Sequence, residues 1–405
     1  MNILILGGRY ANPKYANSIC RQNLSEYFVK DGHHVYILAS GYEYHGEEET
    51  LNGVYVKKIY GDNFGDIHLR YENRKDFMSK IKLKLHQLYF YARSICLFPL
   101  SSMNDARETY KYANGIIERE KIDVLLAMYR PYESIDAAIR LKKKHGSSLR
   151  VVTYHLDLLS GHTNGPALLQ AFRKHRIKVA FQKELEVVDK MLLPFSAPEV
   201  KSEKVEYVDF PLYVVNKGMP AENQQHRWMP KESINIGFVG TMDSRNRQPE
   251  YVCSLIERLK NIEGREVNLH IWGRLSGVNI EPFKRTIYHG MAKIEDVSSI
   301  LQQSDFLLNI GNLTAYNMIP SKIFQMFAAK KPILFNVSSP KDKSVPYFEK
   351  YGYTCFIKEY DHQDNEDVAI MERFISTHYR DRVDVDDKLF EKSTPQYICQ
   401  KVLDD

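Results

Sequence analysis

The segment from Asn309 to Phe335 combines residue types and spacings that suit phosphate chemistry. It reads as a strand, a polar loop, a Pro320-Ser321 pair, an amphipathic helix and a second strand. Ser321 can cap this helix with its hydroxyl, or the first backbone N–H groups and the positive end of the helix dipole can face a ligand. Lys322 adds a full positive charge at the same place. These features favour a diphosphate site, and an ordinary strand–helix–strand connection is the alternative interpretation.

A second segment with phosphate-binding residue types runs from Gly240 to Arg247. Gly240 and Thr241 follow an apolar strand, and the loop after them contains Arg245 and Arg247. Arginines at the carboxyl end of a strand can hold phosphate oxygens with two N–H donors each. Solvated arginines on a surface loop are the alternative.

His155 and Asp157 lie at the end of another apolar strand, before a loop rich in glycine, serine and asparagine. Two residues that are two positions apart on a strand point to the same side. We therefore expect them to share one pocket, although a histidine at a strand end can also be a hydrogen-bonded structural residue. His289 has a similar place before Gly290, and there a structural role is favoured.

Gly7 and Gly8 follow the first apolar strand, where they permit either close approach of the backbone to a ligand or a tight turn. The complete G-x-G-x-x-G spacing is absent, and no acidic residue ends the second strand at Leu38-Ala39-Ser40. This pattern disfavours NAD binding. Contact with a second substrate and a plain turn both remain open.

The segment Arg74–Leu97 alternates basic and apolar residues. Its apolar side chains recur every three or four positions, which predicts one helical stripe. Basic flanks on such a stripe suit an anionic membrane surface. The alternative is that the stripe packs on a sheet while the basic residues are solvated. The basic residues are Lys75, Lys80, Lys82, Lys84 and Arg93, and the apolar ones are Phe77, Ile81, Leu85, Leu88, Ala92 and Ile95.

Two α/β domains are needed to position these residues, because 405 residues are too many for one core. Strands and helices alternate in the first half, and the alternation starts again at Ile234 after a polar linker, Glu222–Ser233. Both halves are predicted to be Rossmann-like and to face a central cleft, with ligands at the carboxyl ends of the strands. The predicted domains are residues 1–212 and 213–384, with 385–405 crossing back to the first as a helix.

Composition narrows the class of protein. A net charge of +5 and a pI near 8.6 are too weakly basic for a dedicated nucleic-acid binder. The five scattered cysteines favour reduced thiols, and neither they nor the histidines have metal-site spacing. The apolar run Met1–Leu6 is shorter than a signal peptide or a membrane span. We expect a cytoplasmic protein without metal or cofactor.

Taken together, these motifs resemble the retaining glycosyltransferases of the GT-B fold, over nearly the whole chain. Gly32–Val35 looks like the G-H-x-V that precedes the second strand of that family. Ile236–Gly240, Leu269–Gly273 and Tyr288–Gly290 look like its three strand ends in the donor domain. Pro320–Pro332 looks like its P-S-K-x-F-E-Y-x-A-x-G-K-P signature, which is the most specific match.

The resemblance implies roles for individual residues. The first domain would bind the acceptor through Gly7, Gly8 and Arg9, and the second would bind the donor. His155 matches a histidine that often lies against the transferred sugar, and it joins Asp157, Lys322 and Arg245 as expected catalytic residues. The expected donor site consists of Gly240, Thr241, Arg247, Gly273, Asn317, Ile319, Pro320, Ser321 and Gln325.

The chain departs from this pattern at two places. Both glutamates of the family's E-x7-E pattern are amides here, Asn317 and Gln325, which can bond hydroxyls but carry no charge. Thr241 also stands where the family has an arginine, so the charge must come from Arg245, Arg247, Lys322 or Arg274.

The resemblance implies transfer of a hexosyl group from a nucleotide diphosphate sugar, UDP favoured and GDP also considered. The acceptor would be a glycan or a lipid-linked molecule in cell-surface polysaccharide synthesis, and nucleic acid is not an expected partner. A peripheral position at the inner face of the cell membrane, through Arg74–Leu97, is a further expectation. The alternatives are a non-catalytic GT-B subunit that binds glycan or a partner transferase and, in third place, a nucleotide-sugar epimerase.

Overall fold

A computed structural model describes residues 1–11, 16–41, 44, 46–61, 76–157, 167–214, 227–316, 318–381 and 383–404. The chain divides into two compact units, the first formed by Met1–Pro211 with Lys392–Asp405 and the second by Leu212–Glu391. Each unit is built on its own mainly parallel sheet, with helices in the connections between strands. The predicted α/β class with two Rossmann-like domains is confirmed.

The sheet of the first unit has eight strands in the order β3-β4-β2-β1-β5-β6-β7-β8. These are β1 (Asn2–Gly7), β2 (His34–Gly41), β3 (Glu48–Leu51), β4 (Val54–Tyr60), β5 (Val124–Tyr129), β6 (Arg150–His155), β7 (Lys190–Pro194) and β8 (Val205–Val208). The helices between them are α1 (Ala16–Lys30), α2 (Phe77–Leu97), α3 (Met103–Glu120), α4 (Tyr132–His145) and α5 (Ala167–Val187).

The central strand β1 explains why this sheet forms. It pairs in parallel with β2 on one side and β5 on the other. Its residues from Ile3 to Leu6 are fully buried, as expected for a parallel strand that is covered on both faces. The carboxyl ends of β1, β5 and β6 therefore lie side by side at one edge of the sheet.

The sheet of the second unit has six strands in the order β11-β10-β9-β12-β13-β14, and all of its pairings are parallel. The strands are β9 (Ile234–Asp243), β10 (Val267–Ser276), β11 (Thr286–Tyr288), β12 (Phe306–Ile310), β13 (Ile333–Asn336) and β14 (Thr354–Ile357). The helices are α6 (Glu250–Arg258), α7 (Ile294–Gln303), α8 (Lys322–Ala328), α9 (Val345–Tyr351) and α10 (Asp364–His378).

The last helix, α11 (Pro395–Leu403), belongs to the first unit. The Cys399 thiol donates to the carbonyl oxygen of Leu24 in α1 at 3.6 Å. Arg150 Nε donates to the Val402 oxygen at 3.2 Å. The second unit is thus joined to the first by two covalent connections, near residues 211 and 391.

Several elements are not evident from hydrophobic periodicity. The edge strand β3 contains Glu48 and Glu49, and β8 contains Glu206, so neither has an apolar run. Helices α9 and α10 and strand β14 were also not predicted. The first part of the predicted linker lies outside the described residues.

Helix α2 shows the predicted stripe largely exposed. Phe77, Leu85 and Leu88 are 76%, 62% and 65% exposed, and only Ser79 is buried. Within the described residues, no helix is both long and apolar enough to cross a bilayer. Arg74 and Lys75, at the start of the predicted segment, lie outside the described residues.

Candidate functional site

Two cations meet at the carboxyl end of β9 in the second unit. Lys322, the first residue of α8, donates from Nζ to the Val239 carbonyl oxygen at 3.3 Å. Burial lowers the pKa of Lys322, and the like charge of Arg247 lowers it further. Burial also lowers the pKa of Arg247. Neither side chain forms an ion pair with any residue that the structure describes, although the charges of Asp243 and Asp342 oppose the fall in the pKa of Arg247.

Arg247 is held by a network of asparagine side chains. Its Nε donates to Asn312 Oδ1 at 2.9 Å, and Asn246 Nδ2 donates to the same oxygen at 2.9 Å. Asn246 Oδ1 in turn accepts from the backbone N–H groups of Thr314 and Ala315 at 3.0 and 3.1 Å. The loop after β9 is thereby tied to the loop after β12. Sequence reasoning missed Asn246 and Asn312, whose polar character at two strand ends was the available signal.

Glycines bring the ends of β9 and β10 together. Gly240 and Gly273 are partners in the strand register, and Gly273 has a φ of +139°. A Cβ atom on Gly273 would lie 1.7 Å from the Gly240 oxygen. The Gly273 N–H donates to Gly290 at 2.7 Å, and the Tyr288 hydroxyl donates to the Gly273 oxygen at 2.8 Å. The three predicted strand ends therefore meet.

We expect Gly273→Ala to destabilise the second unit by at least about 3 kcal/mol, because the backbone of Gly240 must move to admit a methyl group. Gly264→Ala is the matched control, since Gly264 also has positive φ but open space around it. That change should cost about 1 kcal/mol. Urea unfolding followed by tryptophan fluorescence measures both, because Trp228 and Trp272 lie in the second unit. Equal losses in the two variants would contradict the proposed clash.

The start of α8 differs from the sequence expectation. The helix has only seven residues, and Ser321 has αR backbone angles and makes no side-chain capping bond. The Lys322–Arg247 pair, rather than a long helix dipole, is the positive feature here.

The other predicted donor residues differ in how far they are exposed. Ile319 is buried, Pro320, Ser321 and Gln325 are half-buried, and Thr241 is exposed. Asn317 lies outside the described residues. Arg245 is exposed and its backbone N–H donates to Asp243 Oδ1 at 3.1 Å, whereas Arg247 is half-buried and bonded through its guanidinium.

In the first unit, His155 and Asp157 have separate partners. His155 is 2% exposed and its Nε2 lies 2.8 Å from Oε1 of Glu184, a fully buried residue of α5. Asp157 Oδ2 lies 3.5 Å from Arg130 Nε and accepts from Asn17 Nδ2 at 3.3 Å. Strand β6 ends at His155. The alternation of side chains along a strand, which predicts that His155 and Asp157 point to the same side, therefore does not reach Asp157.

The loop after β1 is attached to the loop after β5. The Gly8 N–H donates to the Arg130 oxygen at 3.3 Å. Gly7, Gly8 and Arg9 thereby lie next to the Arg130–Asp157 pair at the carboxyl edge of the sheet.

His289 belongs to a hydrogen-bonded network of side chains within the second unit. Its Nε2 lies 3.0 Å from His270 Nδ1, and His270 Nε2 lies 3.0 Å from Asn235 Oδ1. The His289 ring also stacks on Trp272 at 4.3 Å between centroids. Burial, followed by the neighbouring His289, lowers the pKa of His270 to about 4. His270 therefore stays neutral in the fold at neutral pH.

Stability should fall as the pH drops from 6.5 to 4, because unfolding lets His270 take up a proton that the fold excludes. A shift from 6.5 to about 4 corresponds to a loss on the order of 3 kcal/mol across that window. His270→Gln should lose less stability over the same range, measured by urea unfolding at several pH values. Comparison with the variant cancels the contribution of nearby Asp305, whose raised pKa acts in the opposite direction. Identical pH slopes for both proteins would refute this expectation.

Among solved structures, the chain is similar over its whole length to several proteins. The crystal structure of WaaG, a glycosyltransferase involved in lipopolysaccharide biosynthesis, has a TM-score of 0.54 at 10% identity and covers 100% of both chains. An α-glucosyltransferase in complex with UDP and a 13-mer DNA has a TM-score of 0.55 at 11% identity, covering 99% of this chain and 98% of its own. A structure described as trehalose-6-phosphate from E. coli bound with UDP-2-fluoro glucose has a TM-score of 0.52 at 10% identity, covering 99% and 96%.

No protein-family profile and no curated protein sequence matches the chain. At identities of 10–11% the structural similarity establishes the fold alone. The chain has the GT-B fold, as its sequence predicted.

Proposed function

We propose that this protein is a glycosyltransferase that moves a sugar from a nucleotide diphosphate sugar to a glycan or a lipid-linked acceptor. The observation that carries this proposal is the Arg247–Lys322 pair, two cations held together at the end of β9. Their combined charge matches a diphosphate. Two structures of the same fold that contain UDP or a UDP-sugar analogue support a nucleotide as the sugar carrier.

The chemistry follows from the charge that develops in the reaction. When the bond between sugar and diphosphate breaks, negative charge accumulates on the departing phosphate oxygens. Lys322 and Arg247 are already positioned before the reaction begins. They can therefore stabilise the developing negative charge without any reorganisation of the site. Arg247 is kept in place by Asn312, which also accepts from Asn246.

The resemblance supports the finer assignments. They are a hexosyl transfer with retention of configuration, in which the leaving phosphate assists deprotonation of the acceptor hydroxyl, and a role in cell-surface polysaccharide synthesis. A UDP-sugar is the favoured donor and a GDP-sugar the second choice. His155, Asp157 and Arg245 stay candidate catalytic residues.

A donor screen tests the proposal. Purified protein is incubated with UDP- and GDP-sugars, and released UDP or GDP is measured with and without candidate glycan acceptors. Release that depends on an acceptor supports transfer. Absence of release with every donor, together with absence of UDP and GDP binding in calorimetry, would reject the proposal.

A non-catalytic GT-B subunit that binds glycan or a partner transferase is the second candidate. The amide at Gln325 favours it, because a carboxylate stands at this position in the family that the chain resembles. A subunit that no longer catalyses should bind neither UDP nor GDP. Nucleotide binding in calorimetry therefore separates the two candidates before any acceptor is known.

Helix α2 supports a position at an anionic membrane surface. Leu85 and Leu88 are exposed, and Lys80, Lys82 and Lys84 on the same helix are exposed as well. Exposed apolar side chains can enter the headgroup region while the lysines meet anionic lipids. On this basis we propose a peripheral position at the inner face of the cell membrane.

Liposome flotation should show co-migration with anionic vesicles and little with neutral ones. Leu85→Glu combined with Leu88→Glu should abolish co-migration, because the apolar contact is replaced by like charge. Ile370→Glu, at an exposed position of the second unit, is the control and should float as the unchanged protein does. Flotation of the double variant with undiminished yield would remove α2 from the contact.

A further inference from the structure

Asp243, the last residue of β9, is a carboxylate on the same short loop as Arg247. The Asp243 N–H donates to the Arg247 oxygen at 3.0 Å, and the Arg247 N–H donates to the Asp243 oxygen at 3.1 Å. The Asp243 side chain is fixed as well, because its Oδ1 accepts from the N–H groups of Arg245 and Asn246 at 3.1 and 2.9 Å. A negative charge is therefore held on the loop that carries the cation of the proposed diphosphate site.

Asp342 is a second carboxylate, connected to Arg247 through one residue. Its Oδ2 accepts from the Asn312 N–H at 3.3 Å, and Asn312 Oδ1 accepts from Arg247 Nε at 2.9 Å. Its Oδ1 accepts from the N–H and from the hydroxyl of Ser344, at 2.8 and 2.6 Å. Asp342 is only 4% exposed, so these bonds fix its carboxylate at the edge where the donor is proposed to bind.

The two carboxylates act on the cation pair without contact. Within the described residues, neither of them forms an ion pair with Arg247 or Lys322. Their charges nevertheless oppose the fall in the pKa of Arg247 that burial causes. The lowered pKa of Lys322 has other causes, namely burial and the charge of Arg247. The negative charges are therefore felt mainly at the Arg247 end of the pair.

A bound anion at this place interacts with charges of both signs. Its attraction to the cations grows with its own charge, and so does its repulsion from the carboxylates. A nucleotide diphosphate sugar carries about two negative charges, because both of its phosphates are esterified, whereas the free nucleotide diphosphate carries about three near neutral pH, because its terminal phosphate loses a second proton with a pKa of about 6. Carboxylates near the cations reduce the advantage that this extra charge would give to the free nucleotide.

We propose that Asp243 and Asp342 are specificity-determining residues, whose negative charge makes the neighbouring cation pair favour the donor over the released nucleotide diphosphate. This inference rests on the proposed function, which defines the donor and the product. Neither carboxylate has to touch the ligand, since a charge acts over a distance of several ångströms. The result is weaker retention of the product after transfer, so that a new donor can bind.

A purely structural role for the two carboxylates predicts a change of the opposite sign. If Asp243 only supports its loop, and Asp342 only holds Asn312, then removing either charge should loosen Arg247 and weaken the binding of every diphosphate. If the charges repel the product, removing either one should strengthen binding, and most for the ligand with the largest charge. The sign of the change in affinity therefore separates the two roles.

Calorimetry with the full chain tests the proposal, and the probes are UDP and UDP that is methylated on its terminal phosphate. The methyl ester has the charge of a donor but no sugar, so the sugar specificity of the protein does not enter the comparison. Asp243→Asn and Asp342→Asn are compared with Glu366→Gln, which removes the same charge at an exposed position of α10. GDP and its methyl ester replace the uridine compounds if the protein binds GDP and not UDP.

Asp243→Asn and Asp342→Asn should each tighten UDP binding by about tenfold and binding of the ester by about fivefold, whereas Glu366→Gln should change neither by more than about twofold. Weaker or unchanged UDP binding in Asp243→Asn would overturn the inference, and so would equal gains for UDP and the ester. If Asp342→Asn does not fold, Asp243→Asn decides, because the amide oxygen can accept both of the bonds that Asp243 Oδ1 accepts.

The outcome also tells this inference apart from the proposed function. If the unchanged protein binds UDP or GDP and the variants bind it no more tightly, the role of the carboxylates is rejected and the proposed function stands. If the unchanged protein binds neither nucleotide, the proposed function is rejected, and the inference falls with it. In a transfer assay, the nucleotide product should inhibit Asp243→Asn more strongly than it inhibits the unchanged protein.

Discussion

Lys322→Ala is expected to lower the rate of sugar transfer by about 10²–10³-fold while the protein stays folded. The Nζ atom contributes little to the fold, because its hydrogen bond to the Val239 oxygen is long, at 3.3 Å. Its removal should even relieve repulsion with Arg247 in the absence of ligand. The decrease in rate should therefore come from weaker stabilisation of the departing diphosphate. Steady-state rates of UDP or GDP release, measured beside thermal melting curves, test this separation.

Lys341→Ala is the matched control for this experiment. Lys341 is an exposed lysine of the same unit, and its backbone N–H, not its side chain, makes the bond to Ser339. If Lys322→Ala and Lys341→Ala turn over at the same rate, Lys322 does not act on the diphosphate.

Arg247→Met should have the second largest effect, a decrease of about 10²-fold in kcat/KM. It removes a cation next to Lys322 and takes from Asn312 Oδ1 one of the two donors seen in the described residues, the other being Asn246. Arg247→Lys should recover part of the activity, because the charge returns without the planar donor pair. Donor kinetics with all three proteins measure the effect.

Arg245→Met provides the comparison within the same loop. Arg245 is exposed, and its bond to a described residue runs through its backbone N–H, so its loss should reduce transfer to a smaller degree. A larger loss in Arg245→Met than in Arg247→Met would reverse the assignment of the two arginines.

The fold was predictable from sequence where apolar runs are continuous. β1 and β5 are buried along their length, and their residues are accordingly apolar. Edge strands such as β3 carry charged residues because one side meets water, so no apolar run marks β3 even though it pairs with the next strand, β4, across a turn of two residues. Short apolar runs therefore predict the centre of each sheet better than its edges.

The candidate site was predictable in part. The glycines at strand ends and Lys322 are visible as a local pattern. The choice of Arg247 over Arg245 depends on Asn312, 65 residues away, and no local pattern contains that bond. The burial of His155 depends in the same way on Glu184, 29 residues further along the chain.

Because the chain returns to the first unit at Lys392, the second unit is nested inside the first in the manner of an inserted domain. A truncation after α10 would therefore destabilise the first unit. It would uncover Leu24 on α1 and leave the Arg150 guanidinium without the Val402 carbonyl. Separate production of the amino-terminal half requires that residues 392–404 be spliced onto residue 211. The carboxyl-terminal half, residues 212–391, can be excised as one uninterrupted piece.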